Sequence, residues 1–523
     1  MLNKISRIFN YLDGLGELNV SESQLFKYFI SKAIKDRDRS DGSDYQSDLI
    51  LVQCPEDDYY YALFGRIILS IKESRKVTVK GFHLHSIRPS EFRSLGMFLV
   101  KRLEHIILNR KWVRLYSAYC DGVGYKSDRF EGPIRFAGDL IKAYRLWISI
   151  KSKDQLIGLS IDNVPVGDLV NDTYIRWRPS PTVDINDVYL LRVIQQTIKE
   201  IRLAREFFNT HRPFLYITSH ANGYIQHGIA VRVALQNHVK VIAFGNRQQF
   251  AKQLSLDNWV AAKNPDNYLS DFLRLNNQKL KLDKAREALN SRINGTIDRA
   301  TAYMRQSAYA ESEVDIPDVS GAIVVFLHCF YDCPHGYRHT VFSDFWEWIT
   351  FTIDFLLSIN AKFYIKPHPS WVEESEDVYK RLCLEYPNVL KLSPLITNKQ
   401  LVEAGVIGAV SVHGTVTHEL AFMGIPTVSC GDNPHVAFDF CTTTTTREEY
   451  AEALAGAFSL KHDKELYKLQ SLMFFYMHNL SLSDDENELL TALGKFRTYS
   501  GNKSELIDSI SHFPKFLDFV SNV

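Results

Sequence analysis

The sequence contains no run of about 18 apolar residues, the length that a membrane-spanning helix requires. The most apolar stretch, residues 319–331, is too short to span a bilayer. The sequence also has no excess of charge of either sign, because 61 Lys and Arg residues balance 61 Asp and Glu residues. No overall field therefore attracts nucleic acid. We expect a soluble protein without a nucleic-acid partner.

Cysteine is scarce, and an export signal is absent. The seven cysteines lie between Cys54 and Cys441, and an odd, scattered set is typical of reduced thiols and not of a disulfide framework. Residues 1–17 have no apolar stretch of about 7 to 15 residues, which a secretory signal needs. We therefore expect a cytoplasmic protein.

What is present is a long chain with enough apolar residues for more than one core. Its 523 residues are 45% hydrophobic and 23% charged, and single cores stop growing at about 250 to 300 residues. From residue 49 onward, short β-branched runs alternate with helical patterns, which is typical of parallel sheets with crossover helices. In the first half, the predicted strands span residues 49–54, 77–82, 156–161, 214–219 and 239–244.

A polar stretch at residues 265–313, rich in Lys, Arg and Asn, separates this series from a second one. The fold class is therefore α/β, with two Rossmann-like domains that face each other across a cleft. We place the first domain at 1–314, the second at 315–482, and C-terminal helices that pack back on the first domain at 483–523. The second series predicts strands at residues 322–328, 362–366, 388–392, 409–413 and 426–430, and a loop at 442–446.

Ligands of open parallel sheets bind beyond the carboxyl ends of the strands, so the residues there are the first candidates. After the fourth strand of the second series, Ser411 and His413 lead into Gly414, which lets the backbone turn. Thr415 then starts a helix, where free N–H groups favour a phosphate, although an ordinary helix cap would show the same residue. Glu419 lies one helical turn later on the same face, where a carboxylate can accept from ribose hydroxyls.

A second candidate follows the strand at 362–366. Two prolines stiffen the loop Lys366-Pro367-His368-Pro369, which fixes an ammonium group and an imidazole at the carboxyl end of the strand. Both side chains could neutralise a diphosphate, whereas the alternative is a histidine with a packing role only.

A third candidate is the loop after the first strand of the second series. It carries His328, Cys329, Cys333, His335 and His339. This spacing is poor for structural zinc, because a C-x3-C pair has no matching second pair. We expect no metal, and we expect His328 and His335 to contact a ligand in the interdomain cleft.

The second half of the chain resembles the donor domain of GT-B glycosyltransferases. Within that fold it is similar to the bacterial capsule and lipopolysaccharide group, which includes the Kdo and sialic-acid transferases. It departs from the sialyltransferase pattern at residues 412–415, where that pattern has paired serines, so the nucleotide base stays open. The motifs that carry the resemblance are Lys366-Pro367-His368-Pro369, Ser411 to Thr415, Glu419 and Gly424-Ile425-Pro426.

The resemblance implies that His368, His413, Gly414 and Thr415 hold the nucleotide phosphate and that Glu419 binds the ribose. It also implies a metal-independent glycosyltransferase that moves a sugar from a nucleotide donor, with a CMP-linked acid sugar such as Kdo favoured. The acceptor would be a surface polysaccharide or a lipid-linked oligosaccharide, and no cofactor is expected, because the nucleotide sugar is a substrate.

Two alternatives to this function stay open. One is a CDP-polyol phosphotransferase of the teichoic-acid kind, a class that also has a His-Pro loop like the one at His368-Pro369. The other is a catalytically silent GT-B-like module that binds glycan or acts as a scaffold, since one fold hosts several functions.

The first half of the chain should bind the acceptor and supply the catalytic base. Asp168 and Asp172 follow a predicted strand and share one face if they are helical, and His220 follows another strand. Each could remove the proton of an acceptor hydroxyl, and a carboxylate could instead be a nucleophile if configuration is retained. A helix cap and a loop residue are the structural alternatives.

One stretch of the first half is both basic and amphipathic. It predicts either peripheral contact with the inner face of the cytoplasmic membrane or an ordinary surface helix, which is the favoured interpretation. Its basic residues are Lys101, Arg102, Arg110, Lys111 and Arg114.

Overall fold

The computed structural model describes most of the chain. It covers residues 11, 13–37, 48–83, 95–126, 131–178, 180–219, 223–245, 249–259, 264–299, 301, 307–310, 313–337, 339–368, 374–459 and 462–522.

The first domain is built on a six-stranded sheet. The strands of this domain are β1 (Asp48–Gln53), β2 (Val77–His83), β3 (Val123–Lys126), β4 (Ser160–Ile161), β5 (Val164–Pro165), β6 (Leu215–Thr218), β7 (Lys240–Phe244) and β8 (Ala251–Gln253). The sheet has the order β3-β2-β1-β6-β7-β8 and is parallel except for β8, whereas β4 and β5 form a separate antiparallel hairpin.

Helices cover both faces of this sheet and connect its strands. They are α1 (Val20–Arg37), α2 (Asp58–Ser74), α3 (Leu95–Tyr116), α4 (Pro133–Ser149), α5 (Lys153–Ile157), α6 (Gly167–Trp177), α7 (Val188–His211) and α8 (Ile225–Gln236). The sequences of the central strands β1 and β6 are nearly continuous apolar runs, because these strands are buried on both faces of the sheet.

The second domain has a sheet of six parallel strands. They are β9 (Ile323–Phe326), β10 (Phe363–Lys366), β11 (Leu390–Lys391), β12 (Gly408–Val410), β13 (Thr427–Cys430) and β14 (Cys441–Thr444). Their order is β11-β10-β9-β12-β13-β14. Counted within each sheet, both domains therefore have the strand order 3-2-1-4-5-6 of a Rossmann fold.

Further helices precede, cover and follow the second sheet. They are α9 (Tyr268–Leu273), α10 (Gln278–Ile293), α11 (Phe345–Ser358), α12 (Glu374–Glu385), α13 (Asn398–Glu403), α14 (Val416–Phe422), α15 (Arg447–Gly456), α16 (Lys464–Phe475), α17 (Asp484–Lys495), α18 (Lys503–Ile510) and α19 (Pro514–Ser521). Helices α9 and α10 pack against α16, although both lie before the boundary predicted at residue 314. Helices α17 to α19 pack on α1 and α2 of the first domain.

Two predictions of local structure are wrong. Residues 156–161 do not form a strand of the main sheet, because helix α5 ends at Ile157 and the hairpin turns immediately at Asp162 and Asn163, which both have positive φ. Residues 442–446 are not all loop, because β14 pairs with β13 through Thr442, Thr443 and Thr444. Their β-branched side chains favour a strand.

The carboxyl edges of the two sheets face each other. Gly223, which follows β6, approaches the loop after β9 so closely that a Cβ there would lie 2.9 Å from Sγ of Cys333. Asn171 on α6 donates to the backbone carbonyl of Ser343 at 3.2 Å. The predicted fold class is therefore confirmed: the molecule has two Rossmann-like domains and a C-terminal helical segment, in the GT-B architecture.

The basic amphipathic stretch lies on α3, and part of its polar face is packed. Lys111 pairs with the buried carboxylate of Glu22 at 2.7 Å, Trp112 is buried, and Arg114 lies over the ring of Phe26. These contacts are those of an ordinary helix of the domain. No helix in the part of the chain that the structure describes is long and apolar enough to cross a bilayer.

Candidate functional site

A cavity of about 200 Å³ lies at the carboxyl edge of the second sheet. In this sheet β9 lies between β10 and β12, and the chain connects β9 to β10 on one side and later continues from β12 on the other side. The cavity therefore lies at the topological switch point, where open α/β sheets bind ligands. Most residues predicted to bind the donor line this cavity, namely His328, Lys366, His368, Ser411, His413, Gly414, Thr415 and Glu419.

Lys366 places a cation in the wall of the cavity. Its side chain is buried, and Nζ donates to the carbonyl of Pro394 at 3.2 Å and lies 5.9 Å from the ring centroid of Phe326. Burial lowers the pKa of Lys366 to about 8, although the charge of Glu419 opposes this shift. An anion in the cavity would therefore stabilise the charged form of this lysine.

His328 and His413 contribute neutral rings to the cavity. Their ring centroids are 4.7 Å apart, and His328 stacks on Phe345 at 4.5 Å. Burial lowers the pKa of His328, and burial together with the neighbouring His328 lowers the pKa of His413 well below its usual value. Near neutral pH, His413 can therefore contact a phosphate by hydrogen bonding but not by charge.

The turn between β12 and α14 is built around a close approach. A Cβ on Gly414 would lie 3.0 Å from Oγ of the buried Ser411, so glycine keeps this turn tight. Thr415 precedes α14, and its side chain makes no capping hydrogen bond to the helix. The ordinary helix cap considered for Thr415 is thus not what the structure shows.

Glu419 is a buried carboxylate held by the protein itself. Its Oε2 accepts from the hydroxyl of Tyr309 at 2.7 Å and from Nδ2 of Asn398 at 3.3 Å. Its Oε1 lies 3.6 Å from Nη1 of Arg292. Burial and the charge of Glu419 raise the pKa of Tyr309 well above its usual value, so the tyrosine is a hydrogen-bond donor at all ordinary pH values.

Arg292 joins the linker helix α10 to this site. It also donates through Nε to Asp298 at 2.7 Å, and its guanidinium lies 4.8 Å from the ring centroid of Phe475. Sequence reasoning missed Arg292, Tyr309 and Asn398 as members of the site. The pattern around them carries no motif, because they come from a polar linker and a short helix and meet only in the folded protein.

The first-domain candidates differ in their surroundings. Asp168 forms a two-point ion pair with the buried Arg232, with Oδ1 2.7 Å from Nη1 and Oδ2 2.5 Å from Nη2. Burial alone would raise the pKa of Asp168, but Arg232 lowers it below the usual value. Asp168 is therefore a weak base. His220 lies outside the described residues.

Asp172 reaches across the interdomain contact to the loop after β9. Its Oδ1 lies 2.6 Å from Nδ1 of His335, and its Oδ2 accepts from the backbone N–H of the same residue. Burial alone would lower the pKa of His335, but the charge of Asp172 and this hydrogen bond raise it. Nε2 of His335 is buried with no hydrogen-bond partner in the described structure. His335 does not line the cavity but belongs to the interface between the domains.

The loop after β9 also carries the two cysteines considered as metal ligands. Cys329 and Cys333 are free thiols, and burial raises the pKa of Cys333 well above its usual value. Within the described ranges, no three His, Cys, Asp or Glu side chains are grouped as a metal ion would require.

The fold and the cavity together define a two-domain protein of GT-B architecture, with a cavity at the switch point of its second sheet whose wall carries charged and polar side chains. No protein-family model matches the chain, and no curated protein matches it.

Several solved structures align with most of this chain, but with low sequence identity and low TM-scores. The UDP-GlcNAc 2-epimerase of Methanocaldococcus jannaschii is 9% identical, with 79% of this chain and 93% of that chain covered and a TM-score of 0.24. The UDP-GlcNAc 2-epimerase of Neisseria meningitidis is 10% identical, with 88% and 98% covered and a TM-score of 0.22. A UDP-glucosyltransferase from Polygonum tinctorium is 11% identical, with 91% and 100% covered and a TM-score of 0.22. At these values the likeness says nothing about what this chain binds.

The ion pairs of Arg292 predict a large effect on stability. The substitution Arg292→Met leaves the carboxylates of Glu419 and Asp298 without this cationic partner. Breaking a buried ion pair in this way lowers the free energy of unfolding by about 3 to 5 kcal/mol. Arg286→Met on the same helix is the control, because Arg286 is 54% exposed and forms a surface pair with Asp283; its loss should cost less than about 1 kcal/mol. Urea denaturation measures both, and equal midpoints for the two variants would refute the role of Arg292.

Proposed function

We propose that the protein is a glycosyltransferase that takes a sugar from a nucleotide donor and binds the nucleotide in the cavity of the second domain. The observation that carries this proposal is that the cavity brings together residues from the ends of β9, β10 and β12 around one buried lysine. A site of this size, with a few convergent polar groups, suits part of a nucleotide.

The charges of the cavity favour a phosphate. Glu419 already accepts from Tyr309 and Asn398 and lies close to Arg292, so its charge is compensated within the protein. Lys366 is the group that an incoming anion would stabilise, and His368, Ser411 and Thr415 line the same wall. Oε1 of Glu419 remains placed to accept a ribose hydroxyl, which is the role that the family resemblance implies for it.

For catalysis we infer that the pair of Asp172 and His335 receives the proton of the acceptor hydroxyl. Asp172 fixes Nδ1 of the imidazole, so that Nε2 is the atom that can take a proton. The acceptor oxygen then forms a bond with the anomeric carbon as the bond from that carbon to the donor phosphate breaks. The phosphate leaves with its electron pair, and Lys366 stabilises its charge.

Among possible donors, the loop Lys366-Pro367-His368-Pro369 favours a CMP-linked acid sugar such as Kdo through the family resemblance. A surface polysaccharide or a lipid-linked oligosaccharide is the acceptor that follows from the same resemblance. A phosphate-containing product would instead identify a CDP-polyol phosphotransferase.

Nucleotide binding is the first test. A ligand that binds only the folded state raises the free energy of unfolding, by about 2.7 kcal/mol at a concentration 100 times its Kd. We expect one of CMP, CDP, UDP and GDP to raise the thermal midpoint of the wild type and to lose this effect in Lys366→Met. Lys362→Met is the matched control, because Lys362 precedes the same strand and is 40% exposed in its pair with Asp318. If all four nucleotides leave the midpoint unchanged, the proposal fails.

The lowered pKa of Lys366 predicts how nucleotide affinity depends on pH. The pKa of Lys366 in the free protein is about 8. A bound phosphate raises this pKa because it stabilises the ammonium form of the lysine. Binding is therefore strongest below pH 8 and weakens as the pH rises, by about tenfold between about pH 7 and pH 9. Isothermal titration calorimetry checks this, and Lys366→Met should show weak binding without the pH dependence. A wild-type Kd that is constant over this range would contradict a role for the lysine charge.

The proposed base predicts a separation of binding from turnover. Asp172→Asn should leave the nucleotide Kd unchanged and lower the transfer rate by about 10² to 10⁴, the usual contribution of a general base. Because the pKa of His335 is raised, the wild-type rate should increase with pH as the imidazole loses its proton, and this dependence should shift in the variant. Asp162→Asn, at an exposed turn, is the control. Full activity of Asp172→Asn would exclude this pair as the base.

A further inference from the structure

Helix α4 exposes an unusual number of large apolar side chains on the outside of the first domain. Of the 25 large apolar residues that are exposed in the described part of the chain, six lie on this helix of 17 residues. Such a concentration on one element differs from the single exposed apolar residues that any surface has. They are Ile134, Phe136, Leu140, Ile141, Tyr144 and Ile148.

Four of these side chains form a stripe along one face of the helix. Ile134, Ile141 and Ile148 are seven residues apart, and therefore about two turns, and they are 87%, 54% and 46% exposed. Tyr144 lies between them and is 50% exposed. The stripe is about 21 Å long, since each residue advances the helix by 1.5 Å.

The opposite face of α4 is firmly held by the domain, so the stripe is not the result of a detached helix. Ala143 is buried, and Nε1 of Trp147 donates to the carbonyl of Ile185 at 2.7 Å. Asp139 on α4 and Glu131 just before it both bind Arg202 of α7, at 2.9 Å and 2.7 Å.

The exposed charged residues of α4 itself are all basic. The two acids are turned inward on Arg202 and are 14% and 11% exposed. The exposed basic residues are Arg135, Lys142 and Arg145. Arg135 also pairs with Glu131 at 2.9 Å, and Lys142 pairs at 2.8 Å with Asp162, which is 41% exposed. An apolar stripe flanked by cations is the pattern of a helix that lies in the interface of a membrane with anionic lipids.

We propose that α4 docks the first domain onto an anionic lipid surface, with Ile134, Ile141, Tyr144 and Ile148 in the apolar boundary and Arg135 and Arg145 at the headgroups. A second copy of the chain fits less well, because a two-fold contact along the stripe would bring the same cations of both copies together. This surface lies apart from the cavity, so the proposal does not rest on the function proposed for that site.

The test is co-sedimentation of the full-length protein with vesicles of phosphatidylcholine, either alone or mixed with phosphatidylglycerol, in the absence of nucleotide. We expect binding to the mixed vesicles that weakens with added salt. Ile141→Asp should lower the partition coefficient by about tenfold or more, because it removes apolar contact and adds a charge that the lipids repel. Ile134→Asp, at the most exposed position of the stripe, should have the same effect.

The matched control is Leu384→Asp, at a residue of α12 in the second domain that is 82% exposed. It should bind vesicles like the wild type. Arg145→Gln should lower binding about fivefold on the mixed vesicles only, which separates the charge effect from the apolar one.

Two results would overturn the proposal. One is vesicle binding that is absent in the wild type or equal in Ile134→Asp, Ile141→Asp and wild type. The other is a concentration-dependent dimer that Ile141→Asp dissociates in a protein that does not bind vesicles, since this would make the stripe a contact between copies. Light scattering after size exclusion gives the oligomeric state, and circular dichroism shows that each variant is folded.

Discussion

The buried carboxylate of Glu419 is the constraint on which the second domain's cavity depends. A carboxylate withdrawn from water is costly unless charges and hydrogen bonds compensate it. Its partners Arg292, Tyr309 and Asn398 come from the linker helix α10, from the segment after it and from the start of α13. One buried charge therefore draws three distant parts of the chain into one wall, which explains why α10 belongs to the second domain by packing.

The loop after β9 couples this cavity to the first domain. At its start, His328 lines the cavity, and a few residues later His335 pairs with Asp172 on α6. Further along, Asp344 accepts from Thr182 and Lys153 of the first domain. One loop therefore lines the cavity at its start and contacts the first domain along the rest of its length.

The predictable part of the site was the part that parallel sheets impose. Lys366 ends β10 and the turn at Gly414 follows β12, the two strands on either side of β9, and in a parallel sheet the carboxyl ends of such strands meet at one edge. Arg292 could not be predicted, because its role depends on a long-range contact that no local spacing encodes. The misplaced strand at residues 156–161 has the same origin: a short apolar run can be a strand or the end of a helix, and only its partners decide.

The structure also distinguishes two acids that the sequence presents as equivalent. Asp168 and Asp172 lie four residues apart on α6, so they share a face, as their spacing indicates. Asp168 nevertheless meets Arg232, which stabilises its charged form and leaves it little affinity for a proton. Asp172 meets an imidazole, and an imidazole transmits the effect of a carboxylate to its own second nitrogen. The neighbouring side chain, and not the acid itself, therefore decides whether each aspartate forms a structural ion pair or belongs to a candidate base. For this reason the spacing of Asp168 and Asp172 in the sequence could not distinguish their roles.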